Sequence, residues 1–186
     1  MRKGLPFLLV ASLMLAPAAA EAQFAVKGGL SFGSATDSDY LPDLSTKTGF
    51  AAGLSFGLPL GNVVELRPEL LFVQKGGKLS DDDSFTLNEF NIPLLLQIDI
   101  PIKGFMPYIV AGPQAEIELK CTAFDTDCVD TKSFRWGAVG GVGIRFGKVI
   151  SVEGRYNWTL SEISDDIGSK PRTILLLAGI HFGAKQ

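Results

Sequence analysis

Titratable side chains in this 186-residue chain recur at alternate positions. Glu65, Arg67, Glu69 and Lys75 do so in one stretch, Glu116 and Glu118 in a second, Arg135 and Arg145 in a third, and Glu153 and Arg155 in a fourth. Lys27 and Glu89 are single charges in their own stretches. A spacing of two puts side chains on one face of an extended strand. Acids and bases sharing a face can line an ion path. They can also neutralise one another in a confined interior, where an unpaired charge is strongly destabilising.

Other reactive groups are sparse. His181 is the sole histidine, and a serine–histidine–acid relay needs a serine and a carboxylate arranged about it. Ser31 and Glu153 could reach it only across strands and share no motif with it, so His181 is read as structural and no catalytic residue is expected. Cys121 and Cys128 are the only thiols. In an exported protein so close a pair predicts a disulfide pinching a loop, with modest stabilisation because that loop is short. A four-ligand zinc site would need more soft ligands than two thiols and one histidine provide.

Acids gather in four places: Asp37, Asp39 and Asp43; Asp81, Asp82 and Asp83; Asp125, Asp127 and Asp130; Asp165 and Asp166. Oxygen ligands suit divalent cations that bridge lipopolysaccharide phosphates. No fixed ligand spacing is present, however, and solvated loop tips account for the acids more simply. The glycines from Gly137 to Gly143 lack the following helix of a phosphate-binding loop. Neither cofactor nor metal is expected. With 17 basic and 20 acidic residues and no basic cluster, nucleic acid is not an expected partner.

The elements that position these groups are strands. After residue 22 no stretch has a 3.6-residue period, and period-two alternation predicts eight strands. Phe24 to Gly33 opens the series, with Phe24, Val26, Leu30 and Phe32 opposite Lys27 and Ser31. In the third strand Val64, Leu66, Pro68, Leu70 and Phe72 oppose the charged row; in the seventh Ile150, Val152, Tyr156, Trp158 and Leu160 oppose Ser151, Glu153, Arg155 and Asn157. The last strand sets Ile174, Leu176, Ile180 and Phe182 against Thr173, Gly179 and His181, with Leu175 and Leu177 as exceptions. Long polar connections at 34–46, 76–84, 120–130 and 161–171 alternate with short ones near Gly61, 101–104 and Gly147. That rhythm is the one an up-and-down membrane barrel requires, with short periplasmic turns and longer outer loops.

The chain's start agrees with export. Arg2 and Lys3 precede an apolar run from Leu5 to Leu15, and Ala20-Glu21-Ala22 follows with small residues where a signal peptidase reads. The expected organisation is a cleaved signal peptide over 1–22 and one barrel domain over 23–186. Without Arg2, Lys3 and Glu21 the net charge of −3 becomes −4.

Which face looks outward decides the class. A soluble barrel would have to pack the Phe, Leu and Ile of eight strands into an interior wide enough for only a layer of side chains. The inverse arrangement lets the oily rows meet lipid. It encloses Lys27, Glu65, Arg67, Glu69, Glu89, Glu116, Arg135, Arg145, Glu153 and Arg155 as a lumen charge network. Lipid cannot satisfy backbone N–H and C=O groups, so the sheet must close. Aromatics support this orientation: Phe24, Phe56, Phe146 and Phe182 fall at the inner rim. Phe32, Phe50, Phe72, Phe134, Trp136, Tyr156 and Trp158 fall at the outer rim, as two interfacial girdles would.

The stretches Phe24-Ala-Val-Lys-Gly-Gly-Leu-Ser-Phe-Gly, Leu66-Arg-Pro-Glu-Leu-Leu-Phe-Val-Gln-Lys-Gly, Asn91-Ile-Pro-Leu-Leu-Leu, Pro107-Tyr-Ile-Val-Ala-Gly-Pro and Leu175 to Phe182 resemble the PorT-like outer-membrane β-barrel family of Bacteroidetes-type bacteria. The resemblance spans essentially the whole mature chain and specifies architecture rather than activity. It implies that the barrel-assembly machinery reads the last strand through Ile180 and Phe182. A four-residue tail, Gly183 to Gln186, departs from barrels that stop at the aromatic.

The expectation is therefore an all-β, eight-stranded antiparallel up-and-down transmembrane barrel in the bacterial outer membrane. It would be a monomer in contact with lipid and lipopolysaccharide, with a charged, mostly closed lumen. The leading role is that of a non-enzymatic surface protein presenting its loops. A narrow porin and a lipid-modifying enzyme using His181 are the alternatives.

Overall fold

The computed structural model describes residues 23–36, 45–78, 84–123, 126–127, 134–161 and 170–183. The strands are β1 (Gln23–Thr36), β2 (Ser45–Pro59), β3 (Val64–Lys78), β4 (Ser84–Asp99), β5 (Phe105–Ala123), the short β6 (Thr126–Asp127), β7 (Phe134–Phe146), β8 (Ile150–Thr159) and β9 (Lys170–Phe182). The order β4-β3-β2-β1-β9-β8-β7-β5 is closed by pairing of β4 with β5, and every pairing is antiparallel. β6 pairs only with the end of β5. The barrel is the expected eight-stranded one, with no open edge.

The register fixes the geometry. Pairing leads from Asp99 of β4 to Tyr108, Gly143, Glu153, Leu177, Gly29, Ala51 and Val73, then back to β4 at Glu89, ten residues from the start. A stagger of that size over eight strands tilts them by roughly 40° and leaves an interior that side chains can fill.

Burial follows the pleat. In β7, Arg135, Val139 and Arg145 are buried while Phe134, Trp136, Val142 and Phe146 are exposed. The same holds around the wall, so the exposed face is apolar and the buried one carries the charge.

Two expectations need correction. The ladders run further than the oily rows: β1 reaches Thr36, β3 Lys78 and β5 Ala123, inside stretches expected to be loop. Above the lipid, backbone pairing persists without an apolar face, since both faces can then be polar. In addition, the lumen is not ionic throughout. Leu71, Val73, Leu175, Leu177 and Ala51 form a buried cluster, and Leu95, Tyr108, Val110 and Val139 form another. The unbroken apolar runs Leu70–Val73, Leu94–Leu96 and Ile174–Leu177 thus serve both faces, one turned to lipid and one to the interior.

Short turns join the strands at one end. Leu60 N–H donates to the Val64 carbonyl at 2.9 Å, and Gly104 (φ 95°) and Gly147 (φ 59°) occupy the left-handed region in the next two turns. The expected signal peptide over 1–22, most of the clustered loop aspartates, Cys128 and the Cys121 side chain lie outside the described residues, and the expected disulfide with them.

Candidate functional site in the barrel lumen

The inward row of β3 reads Glu65, Arg67, Glu69, then Leu71, Val73, then Lys75. That order divides the lumen into an inner ionic layer, an apolar belt and an outer ionic layer.

The inner layer joins five strands. Lys27 of β1 meets Glu69 at 2.9 Å and Glu153 of β8 at 3.3 Å. Arg67 Nε lies 2.8 Å from Glu69, and its Nη2 lies 2.7 Å from Glu153. Arg155 meets Glu69 at 2.6 Å and also pairs with Glu153. Tyr108 donates its hydroxyl to Glu153 at 2.9 Å, and Gln97 accepts from Arg67. Three cations and two carboxylates are buried together, each carboxylate shared by three cations. Charge-assisted bonds of this kind are the strong ones.

The outer layer is built likewise. Arg135 of β7 lies 2.7 Å from Glu89, 3.5 Å from Glu116 and 2.9 Å from Glu118. Lys75 pairs with Glu89 and lies 3.5 Å from Glu116. Gln114 and Thr159 donate to Glu116 at 2.7 and 3.0 Å, and Asn157 donates to Gln114 at 3.2 Å.

All ten charged residues expected in the lumen are therefore buried there, but in two layers rather than one network. Glu65 and Arg145 stand apart at the inner end. Gly57 leaves room for the Glu65 carboxylate, and Arg145 sits 6.0 Å from the Tyr108 ring, whose second guanidinium neighbour is Arg67 at 5.5 Å. Lys75 belongs to the outer layer although the sequence reading left it out of the set; its place in the charged row of β3 was the available signal. His181 meets neither Ser31 nor Glu153. Its Nε2 lies 2.8 Å from the Ser151 hydroxyl, while Ser31 donates to the Gln74 carbonyl.

One glycine makes the inner layer possible. Gly143 faces Tyr108 across β5 and β7, and a methyl group there would overlap the phenol ring. Gly143→Ala is expected to push Tyr108 off both arginines and Glu153. Overpacking of this kind costs about 1–3 kcal/mol, readable as a lower urea midpoint for the refolded protein in lipid vesicles.

Solved structures share this architecture. The attachment invasion locus protein Ail of Yersinia pestis, solved with the heparin analogue sucrose octasulfate, is 16% identical with a TM-score of 0.53, over 87% of this chain and 99% of that one. Neisserial surface protein A is 17% identical with a TM-score of 0.56, over 86% and 96%. The outer membrane enzyme PagL is 12% identical with a TM-score of 0.56, over 84% and 98%. At such identities the likeness is one of fold. A search of the curated proteins returned no match. The model of the outer membrane protein beta-barrel domain matches residues 16–165; the chain belongs to that family and is a protein of the bacterial outer membrane.

Proposed function

We propose that this protein is a sealed, non-enzymatic barrel, acting as a monomer, whose role is to present its outer connections at the cell surface. The observation that carries this reading is the pair of ionic layers, which with the apolar belt between them fill the interior. A lumen so occupied offers solutes no path, and function then rests on the ends. His181 and Ser151 are buried inside the inner end, away from the lipid face where a lipid substrate would lie, which argues against the enzyme alternative.

The outer connections 37–44, 79–83, 124–133 and 162–169 hold twelve carboxylates and one lysine, Lys132. Such a surface attracts cationic partners and repels anionic ones, so the heparin analogue seen with Ail is not the expected ligand class. Lipid and lipopolysaccharide surround the apolar wall, and the barrel-assembly machinery would read Ile180 and Phe182 on the outward face of β9. The strand motifs at 24–33 and 66–76 support a place among the PorT-like members of the family.

The test uses the protein in lipid nanodiscs over immobilised polylysine and heparin. Binding to polylysine that weakens with salt, absent from heparin and lost when the four connections are replaced by short glycine–serine turns, is the expected result. Heparin binding, or binding that survives the replacement, would refute it.

A further inference from the structure

The oily outward rows are not equally tall. On β1 the row runs from Phe24 to Phe32, on β2 from Phe50 to Leu58, on β3 from Val64 to Phe72, on β4 from Phe90 to Ile98 and on β9 from Ile174 to Phe182. Within its strand each covers eight residue steps, roughly 20 Å along the barrel axis at a rise of about 3.3 Å per residue and the tilt given above, and exposed Leu60 and Ile100 continue β2 and β4 past their inner ends. On β7 the row runs from Phe134 to Phe146, on β8 from Ile150 to Leu160, just past the strand end, and on β5 from Phe105 to Leu119. Those rows are taller by about 5–15 Å on the same measure.

The excess lies at the outer end. At the inner end the rows begin nearly level, with the Phe24 ring 5.4 Å from Phe56 and 6.0 Å from Phe182 in tilted contacts, and with Phe105 paired to Phe146 and Phe146 to Ile150. On the short wall the ring contacts Phe50–Phe72 and Phe72–Phe90 form the last apolar tier. Directly above them stand Thr48 and the hydrogen-bonded pair Gln74–Asn88 at 3.2 Å. On the tall wall Ile117, Leu119, Phe134, Trp136, Trp158 and Leu160 continue upward and outward, Phe134 being 60% and Trp136 56% exposed.

We propose that acyl chains of the outer leaflet cover this upper flank of β5, β7 and β8, so that the barrel sits tilted toward that wall or draws a thicker acyl layer to it. The flank is continuous with the wall already in lipid and carries no charge along its outward row. An apolar band in an outer-membrane barrel is about 25 Å tall, a height that the short wall approaches, β8 reaches, and β5 and β7 exceed. Tilting and local thickening are the usual responses to such mismatch. Left in water, the flank would be an exposed apolar patch of the kind that recruits a partner or aggregates.

The two tryptophans of the chain, Trp136 and Trp158, both stand on this wall and report on it directly. In phosphatidylcholine vesicles, lipids brominated on the acyl chain should quench the native emission strongly and aqueous acrylamide weakly. Two single-tryptophan proteins on a Trp136→Phe, Trp158→Phe background sharpen the comparison. Phe134→Trp places the probe high on the tall wall, and Thr48→Trp places it just above the apolar tier of the short wall. Brominated chains should quench the first about threefold more than the second, as expected for probes on opposite sides of the acyl boundary, and acrylamide should reverse the order. Equal quenching at both sites, or a cross-linked dimer that shields Trp136 from the brominated chains, would overturn the proposal.

Discussion

Glu153→Ala lowers the unfolding free energy of the barrel by about 3–5 kcal/mol, the scale expected when one partner of a buried ion pair is removed. Glu153 accepts from Lys27, Arg67, Arg155 and Tyr108 at once. Its loss leaves three cations around Glu69 alone and strands the Tyr108 hydroxyl. Glu153→Gln, which keeps an acceptor but not the charge, should fall between the two. Adding Lys27→Met to Glu153→Ala removes one of the surplus cations and should restore part of the loss. Urea titration of vesicle-embedded protein, followed by tryptophan emission, measures all three. Equal stability of wild type and Glu153→Ala would mean that water, rather than the ion pairs, solvates this layer.

The second large effect lies on the opposite face. Leu94 is the middle of the outward row Ile98, Leu96, Leu94, Ile92 and Phe90 and is 46% exposed. In a water-soluble protein an arginine at so open a site would change stability by about 0.5 kcal/mol or less. Facing the bilayer midplane, Leu94→Arg should cost about 2–4 kcal/mol. Near the inner rim the penalty fades with depth, so Leu58→Arg at the inner end of β2 should cost clearly less. The same urea titration separates the cases, and a flat response along the wall would remove lipid from the account of that face.

Much of this was legible in the sequence because a strand's period of two is short and strict. Alternation through Glu65, Arg67 and Glu69 assigned each to the interior before any packing was known, and the alternation of long and short connections implied closure. What stayed hidden required knowledge of neighbours. Leu71, Val73 and Leu95 sit in runs where both faces are apolar, so period alone could not say which leucine looked inward. The division of the charges into two layers depends on strand stagger, which places Glu153 beside Arg67 although β8 and β3 are distant in sequence. The pairing of His181 with Ser151 has the same origin. The ladders beyond the oily rows were missed because backbone pairing above the membrane leaves no hydrophobic mark.

The central claim is that charge pairing seals the lumen. The most direct measurement is single-channel recording with purified protein in a planar bilayer at neutral pH. The account predicts no steady current from the wild-type barrel. A stable, large unitary conductance from correctly folded protein would contradict it.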